Sequence, residues 1–213
     1  MAGVSDKSIK GLTWGDKDLS SVRSPEELPE TFNFAVALLD RHIAEGRGSR
    51  IALRGPAGTY TYEELTRYVN QTANALKWLG LRREQRVILL LRDSPEFIAT
   101  YLGAMKMGAV PIFLNTFAHP SEYEFYLKNS SARIVVGEAE FLAPLADTLK
   151  RANLRAVVTV RDNTGTGEIE FKELIFLSLG LDNSQDGNRA QAGRIRYRSA
   201  QDRCPNDRQG KLN

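Results

Sequence analysis

Cysteine is nearly absent: Cys204 stands alone, which leaves no intramolecular disulfide and no thiolate metal cluster. Histidine is nearly absent too, and with only His42 and His119 beside Cys204 a zinc site is not expected. No apolar run approaches the roughly 18 residues that a membrane span needs. The opening MAGVSDKSIKG lacks the apolar core of a secretory signal. These absences point to a cytoplasmic protein with no membrane segment and no disulfide. Charge imbalance is scarce as well. The net +3 sits entirely in residues 182–213, which hold seven Lys/Arg against four Asp/Glu, so residues 1–181 are neutral. Most of the chain therefore carries no basic footprint for nucleic acid.

What is present is 42% apolar residues in 213, enough for the core of one domain. Their densest organisation is at 94–137, SPEFIATYLGAMKMGAVPIFLNTFAHPSEYEFYLKNSSARIVVG. Ser94 is a good N-cap and Pro95 suits a first helical turn. Phe97, Ile98, Tyr101, Leu102 and Met105 recur at helical spacing and define one apolar face. Gly108 falls where a left-handed C-terminal residue is wanted. Residues 110–114 form a strand-length apolar run, Ser121 with Glu124 makes a capping box for a second helix, and 132–137 closes the unit with a buried-type strand. Strands alternating with amphipathic helices mean an α/β fold with a mainly parallel sheet covered by helices.

The flanks extend the pattern. Residues 1–28 read as a loosely ordered leader. Asn33 caps a helix at 34–44 with Phe34, Ala37, Leu38 and Leu39 inward. His42 sits in its last turn, where the helix dipole favours a cation, so capping explains it better than catalysis. Residues 49–55 and 58–62 are short extended pieces. Thr61 and Glu64 form a capping box for a helix whose Leu65, Tyr68, Val69, Thr72, Ala73, Leu76 and Leu79 share one face, ending at Gly80. A buried strand follows at 87–91, so two strand–helix units flank the central stretch. Beyond it, 138–152 has helical period with Phe141, Leu142, Leu145 and Leu149 inward, 156–160 is a strand, and 169–177 begins as a strand and turns into a helix. Right-handed crossovers restrict such units to a few doubly wound arrangements. Residues 182–213 hold no Val, Phe, Met or Trp, which predicts a disordered basic tail.

The run GAMKMGAVPIFLNTFAHPSEYEFYLKNSSARIVV resembles the first core region of the adenylate-forming (AMP-binding) acyl- and aryl-acid–CoA ligases, and is most similar to the benzoate–CoA ligase group. Upstream, GTYTYEELTRYVNQTANALKWLG resembles the family's earlier entry helix. The likeness covers roughly 29–176 in the same order and spacing. It implies the N-terminal subdomain of that fold over 29–177. It further implies ATP-dependent activation of a carboxylic acid, an aromatic one such as benzoate, to an acyl-adenylate, followed by transfer to the thiol of CoA. The family's cofactors are ATP, magnesium and CoA. Its phosphate loop, rich in Gly, Ser and Thr and ending in Pro-Lys-Gly, and its later Glu, Asp and Lys have no counterpart in the 213 residues. The expectation is therefore a truncated ligase, inactive alone, with no catalytic, cofactor-binding or metal residue to assign and no cofactor retained.

Three weaker signals remain. Thr164, Gly165, Thr166 and Gly167 lie in RDNTGTGEIE, but no Lys follows, and Glu168 and Glu170 would repel a triphosphate, so a tight turn is the better reading. Asn115, Thr116 and His119 follow the 110–114 strand, where open α/β sheets place ligands. Their expected roles are to satisfy loop backbone groups and to start the next helix. Arg194, Arg196 and Arg198 around Tyr197 are the minimum for weak nucleic-acid contact, diluted by Asp202 and Asp207. The abrupt change of composition also resembles translation in a shifted frame. Two other functional classes thus stand beside the inactive ligase: a non-catalytic partner docking onto a full-length ligase, and a nucleic-acid binder acting through the tail.

Overall fold

A computed structural model describes residues 32–160 and 169–175, with short pieces at 13–14, 17–18 and 24–27. The centre is a five-stranded, wholly parallel sheet of β5 (Arg86–Leu90), β6 (Val110–Phe113), β7 (Ile134–Glu138), β8 (Ala156–Val160) and β9 (Ile169–Glu170), ordered β6-β5-β7-β8-β9. The register is set by apolar alternation. Val87 and Leu89 enter one core with Ile134, Val136 and Val158, while Ile88 and Leu90 enter the other with Val135. All four of these β5 side chains are 1% exposed or less, and each such burial contributes about 1.5–3 kcal/mol.

Helices α2 (Tyr62–Trp78) and α3 (Pro95–Lys106) cover the first face. The second is covered by α4 (Pro120–Ser130) and by α5 (Ala139–Leu142) and α6 (Ala146–Arg151), which a 3-10 turn at Ala143–Leu145 joins. This is the doubly wound α/β architecture expected from the alternation of strands and helices. Caps agree with the sequence at two helices. Ser94 Oγ accepts from Phe97 N–H at 3.1 Å. Thr61 and Glu64 close their box reciprocally, at 2.8 and 3.2 Å. Residues 169–175 also start as a strand and continue as a helical turn.

Several local expectations are corrected. The strand at Ile51–Gly55 (β3) does not join the parallel sheet; it pairs antiparallel with β4 (Gly58–Thr61) in a separate hairpin, because only two residues connect them. In the helix at 34–44 (α1), Ala35, Ala37 and Leu39 are buried but Phe34 and Leu38 are 42% and 40% exposed. Its middle, Val36–Asp40, is π-helical, so positions spaced for 3.6 residues per turn no longer line up. Helix α4 is capped by His119 rather than by Ser121. The residue before Pro120 is held extended, Pro120 takes the first helical position, and Glu124 pairs with Lys128 at 2.9 Å instead of closing a box. Glu138 ends β7 rather than opening a helix, and Pro144 lies in the 3-10 turn that divides 139–151 into short segments. Strand β6 is an edge, with Val110 and Phe113 exposed.

Within the expected leader, Thr13–Trp14 (β1) pairs antiparallel with Lys17–Asp18 (β2), and Pro25–Glu27 forms a 3-10 turn. The remainder of the leader and the tail at 182–213 lie outside the described residues. Among the described residues no helix is long and apolar enough to cross a membrane.

The anticipated face of α3 is also only half right. Phe97, Ile98, Tyr101 and Met105 are half-buried, and the deepest positions are Ala99, Thr100, Leu102, Gly103 and Ala104. The absence of a side chain at Gly103 lets α3 cross α2 closely. A Cβ on Gly103 would lie 3.1 Å from both Ala73 N and Val69 O, backbone atoms that cannot step aside. Replacing Gly103 by Val should therefore overpack the crossing and lower stability by about 1–3 kcal/mol. Urea unfolding of the full chain should show a lower midpoint at unchanged slope.

Candidate functional site

In an open parallel sheet the natural ligand crevice lies beyond the carboxyl ends of the strands, where the winding reverses. Here the chain leaves β5 for β6 on one side and then returns across to β7 on the other, so the reversal falls between β5 and β7. The residues delivered there are Arg92, just after β5, and Glu138 and Glu140, at and just after the end of β7.

Their side chains meet there. Arg92 backbone N–H donates to Glu138 Oε1 at 2.9 Å, and Arg92 Nη1 donates to Glu138 Oε2 at 2.9 Å. The same guanidinium forks onto Glu140, with Nη2 to Oε2 at 2.9 Å and a short contact from Nη1 to Oε1. The ring of Phe141 lies 4.6 Å from the guanidinium carbon. Glu138 is 5% exposed, so both oxygens of a buried carboxylate are satisfied by one arginine. Hydrogen bonds from Arg92 hold the Glu140 carboxyl below the usual carboxylate range, and those to Glu140 raise Arg92 further.

The residues singled out from sequence sit one strand away and serve the loop. Asn115 Oδ1 accepts from Phe117 N–H at 3.0 Å, and Asn115 carbonyl accepts from Tyr123 hydroxyl at 2.7 Å. His119 Nδ1 accepts from Ser121 N–H at 3.4 Å and lies 2.9 Å from Ser121 Oγ. Thr116 is half-buried in the same loop. These placements agree with structural roles. His42 is not a cationic cap: its Nδ1 accepts a hydrogen bond from Arg47 Nε at 3.1 Å, which requires an unprotonated nitrogen. Thr164, Gly165, Thr166 and Gly167, the 194–198 segment and Cys204 lie outside the described residues.

Arg92, Glu138 and Glu140 were not marked by motif reasoning. A signal existed: VILLL runs straight into Arg92, and RIVVG straight into Glu138. Charges abutting buried runs at the ends of two adjacent parallel strands meet.

The described residues do not fit a nucleoside triphosphate. The crevice that the winding creates holds two carboxylates, which repel phosphate, and its arginine is already paired with both. A shallow depression of about 390 Å³ lies along α2, lined by Glu63, Arg67, Asn70 and Asn74.

Comparison with known proteins fixes the relationship. Residues 40–187 match the AMP-binding enzyme family. The chain belongs to it. Among relatives of this AMP-binding family, the benzoate–CoA ligase of Thauera aromatica is 39% identical over 133 residues, which is 62% of this chain and 25% of that protein. The 4-hydroxybenzoate–CoA/benzoate–CoA ligase of Rhodopseudomonas palustris is 35% identical over 62% of the chain and 24% of its own length. Among solved structures, the anthranilate CoA ligase AuaEII in complex with anthranoyl-AMP aligns with a TM-score of 0.68 at 31% identity, covering 73% of this chain and 30% of that one. The benzoate CoA ligase of Burkholderia xenovorans LB400 aligns with a TM-score of 0.61 over 68% of this chain and 28% of its own. The chain thus spans about a quarter of the length of the curated relatives it matches.

The clasp has a pH signature. Because the Glu140 carboxyl is held below its unfolded value, its contribution is present above about pH 4–5 and is lost as pH falls through the lower folded value. Glu140→Gln should be less stable than the parent near pH 7, and the difference should narrow as pH falls below about 4. Arg92→Ala should be the more destabilising near pH 7, since it strands the buried Glu138 carboxylate.

Proposed function

We propose that these residues are the amino-terminal lobe of an AMP-forming carboxylic acid–CoA ligase that acts on an aromatic acid of the benzoate type, and that the 213 residues alone do not turn over. Identity of 39% to a benzoate–CoA ligase, within a family match over 40–187, is the observation that carries the reading. The reaction class needs a cradle of backbone N–H groups and hydroxyls for the phosphates, and positioned charges for the adenylation transition state. The lobe supplies the scaffold for such a site: a rigid sheet with helices on both faces. Its own crevice is closed by Arg92, Glu138 and Glu140. The ATP, magnesium and CoA of the reaction would be held elsewhere in a full-length ligase, and cytoplasmic placement goes with the supply of ATP and CoA.

A second reading is favoured by one observation. Val110 and Phe113 on the edge strand, with Phe117 and Phe125 beyond it, are exposed large apolar groups on the described surface. Strand edges of this kind accept another strand. A non-catalytic lobe docking onto a full-length ligase is consistent with that, and co-purification with such a ligase would support it over a free monomer. The nucleic-acid reading rests on 194–198, and no observation on the described residues favours it.

Acid-dependent ATP–pyrophosphate exchange measures the first half-reaction. The isolated 213-residue chain should give none with benzoate or hydroxybenzoates, and turnover would overturn the claim of inactivity. A chimaera in which residues 32–175 replace the equivalent segment of a benzoate–CoA ligase tests the lineage separately. It should form benzoyl-CoA, and a folded but inactive chimaera would sink the assignment to the benzoate-type group.

A further inference from the structure

His42 plays no part in the crevice, yet it occupies an unusually committed position. Its ring lies 3.8 Å from that of Tyr62, with 15° between the planes, so the last turn of α1 is stacked on the first residue of α2. Its Nδ1 accepts from Arg47 Nε at 3.1 Å, and its backbone carbonyl accepts from Arg47 N–H at 2.7 Å. Arg47 also contacts the Glu45 carboxylate. One arginine therefore grips both ends of the same histidine. Arg is a permanent donor, so this geometry exists only while Nδ1 is unprotonated.

We infer that His42 is an acid-released clasp, whose uncharged ring fastens the end of α1 to the start of α2 and whose protonation lets them part. Adding a proton at Nδ1 removes the acceptor and sets a cation against Arg47. The surrounding charge supports the direction. Arg41, Glu45 and Arg47 act on the ring from its own helix and the turn that follows, Arg50 from the approach to β3, and Tyr62 stacks on it from α2. Three arginines outnumber the acidic groups. Burial, then Arg47 and Arg41, hold the imidazole below its ordinary value, against a smaller opposing pull from Glu45. A histidine kept neutral in this way contributes stability that is present above its unfolded value of about 6.5 and falls away as pH drops through the lower folded value. Release is confined to the last turn. The start of α1 is anchored independently by Asn33 Nδ2 donating to the carbonyls of Met105 and Lys106, each at 3.1 Å, and its middle by Asp40 with Lys106 Nζ at 2.7 Å.

The chain has only two histidines, so an NMR titration of the full chain from about pH 8 to about pH 5 shows two imidazole signals, and His42→Gln assigns them. Three results are expected. The His42 midpoint falls below about 6.5. Tyr62 ring protons shift with that same midpoint. Amide exchange of residues 41–47, corrected for its intrinsic pH dependence, rises several-fold across it. In His42→Phe, which keeps a ring on Tyr62 but neither titrates nor accepts from Arg47, the Tyr62 and exchange responses should be absent. A His42 midpoint at or above 6.5, a Tyr62 ring that ignores the titration, or a His42→Phe chain that responds like the parent would each overturn the clasp. The parent titration decides alone if the variant does not fold.

Discussion

Strand β5 has no face and no edge to give to water. Val87 and Leu89 point to one helix layer and Ile88 and Leu90 to the other, all of them essentially buried. A strand of that kind has to be flanked by strands on both sides and covered by helices above and below. Once β6 takes one side and β7 the other, right-handed crossovers leave little choice. Moving from β5 to β6 puts α3 on one face, and turning back to β7 puts α4 on the opposite face. The reversal between β5 and β7 is thus a consequence of where the apolar residues of a five-residue strand point.

That reversal creates a crevice, and the chain fills it with its own charges. Glu138 is nearly buried, and a buried carboxylate is tolerable only with its oxygens engaged. Arg92 engages both from the adjoining strand end, using its backbone amide as well as its side chain. The remaining side of the guanidinium takes Glu140 and rests on Phe141. The point in the sheet best placed to hold a ligand becomes a fastening between β5 and β7.

Much of the fold was legible because its signals are local. Ser94, Thr61 with Glu64, and the four apolar runs of β5 to β8 each specify their element through hydrogen bonds or burial within a few residues. The misreadings share a different cause. Phe34 and Leu38 face outward because a π-helical segment changed the angular step, and nothing in an apolar count reveals that. Ser121 lost its capping role because Pro120 claimed the first turn one residue earlier. Gly103 looks like a helix-weakening residue until α2 is laid across it. The site was less legible still. Arg92 and Glu138 are 46 residues apart, and their meeting depends on strand order, which sequence restricts but does not state. The resemblance to aryl-acid ligases gave the family directly, though it placed no role on either residue.

Helix α1 illustrates why polar contacts matter most where the core is thin. Only Ala35, Ala37 and Leu39 of this helix are buried, and two of those side chains are single methyl groups. Apolar burial alone holds such a helix weakly, since it scales with the area removed from water. What fixes its position is a set of directional contacts: Asn33 bridging its own first turn and the last carbonyls of α3, Asp40 on Lys106, and His42 on Tyr62 and Arg47. Of these, the His42 contact responds to proton concentration, whereas the packing of β5 does not. Proton-linked responsiveness on the described residues therefore sits in two places, the end of α1 and the clasp between β5 and β7, and not in the apolar packing of the sheet.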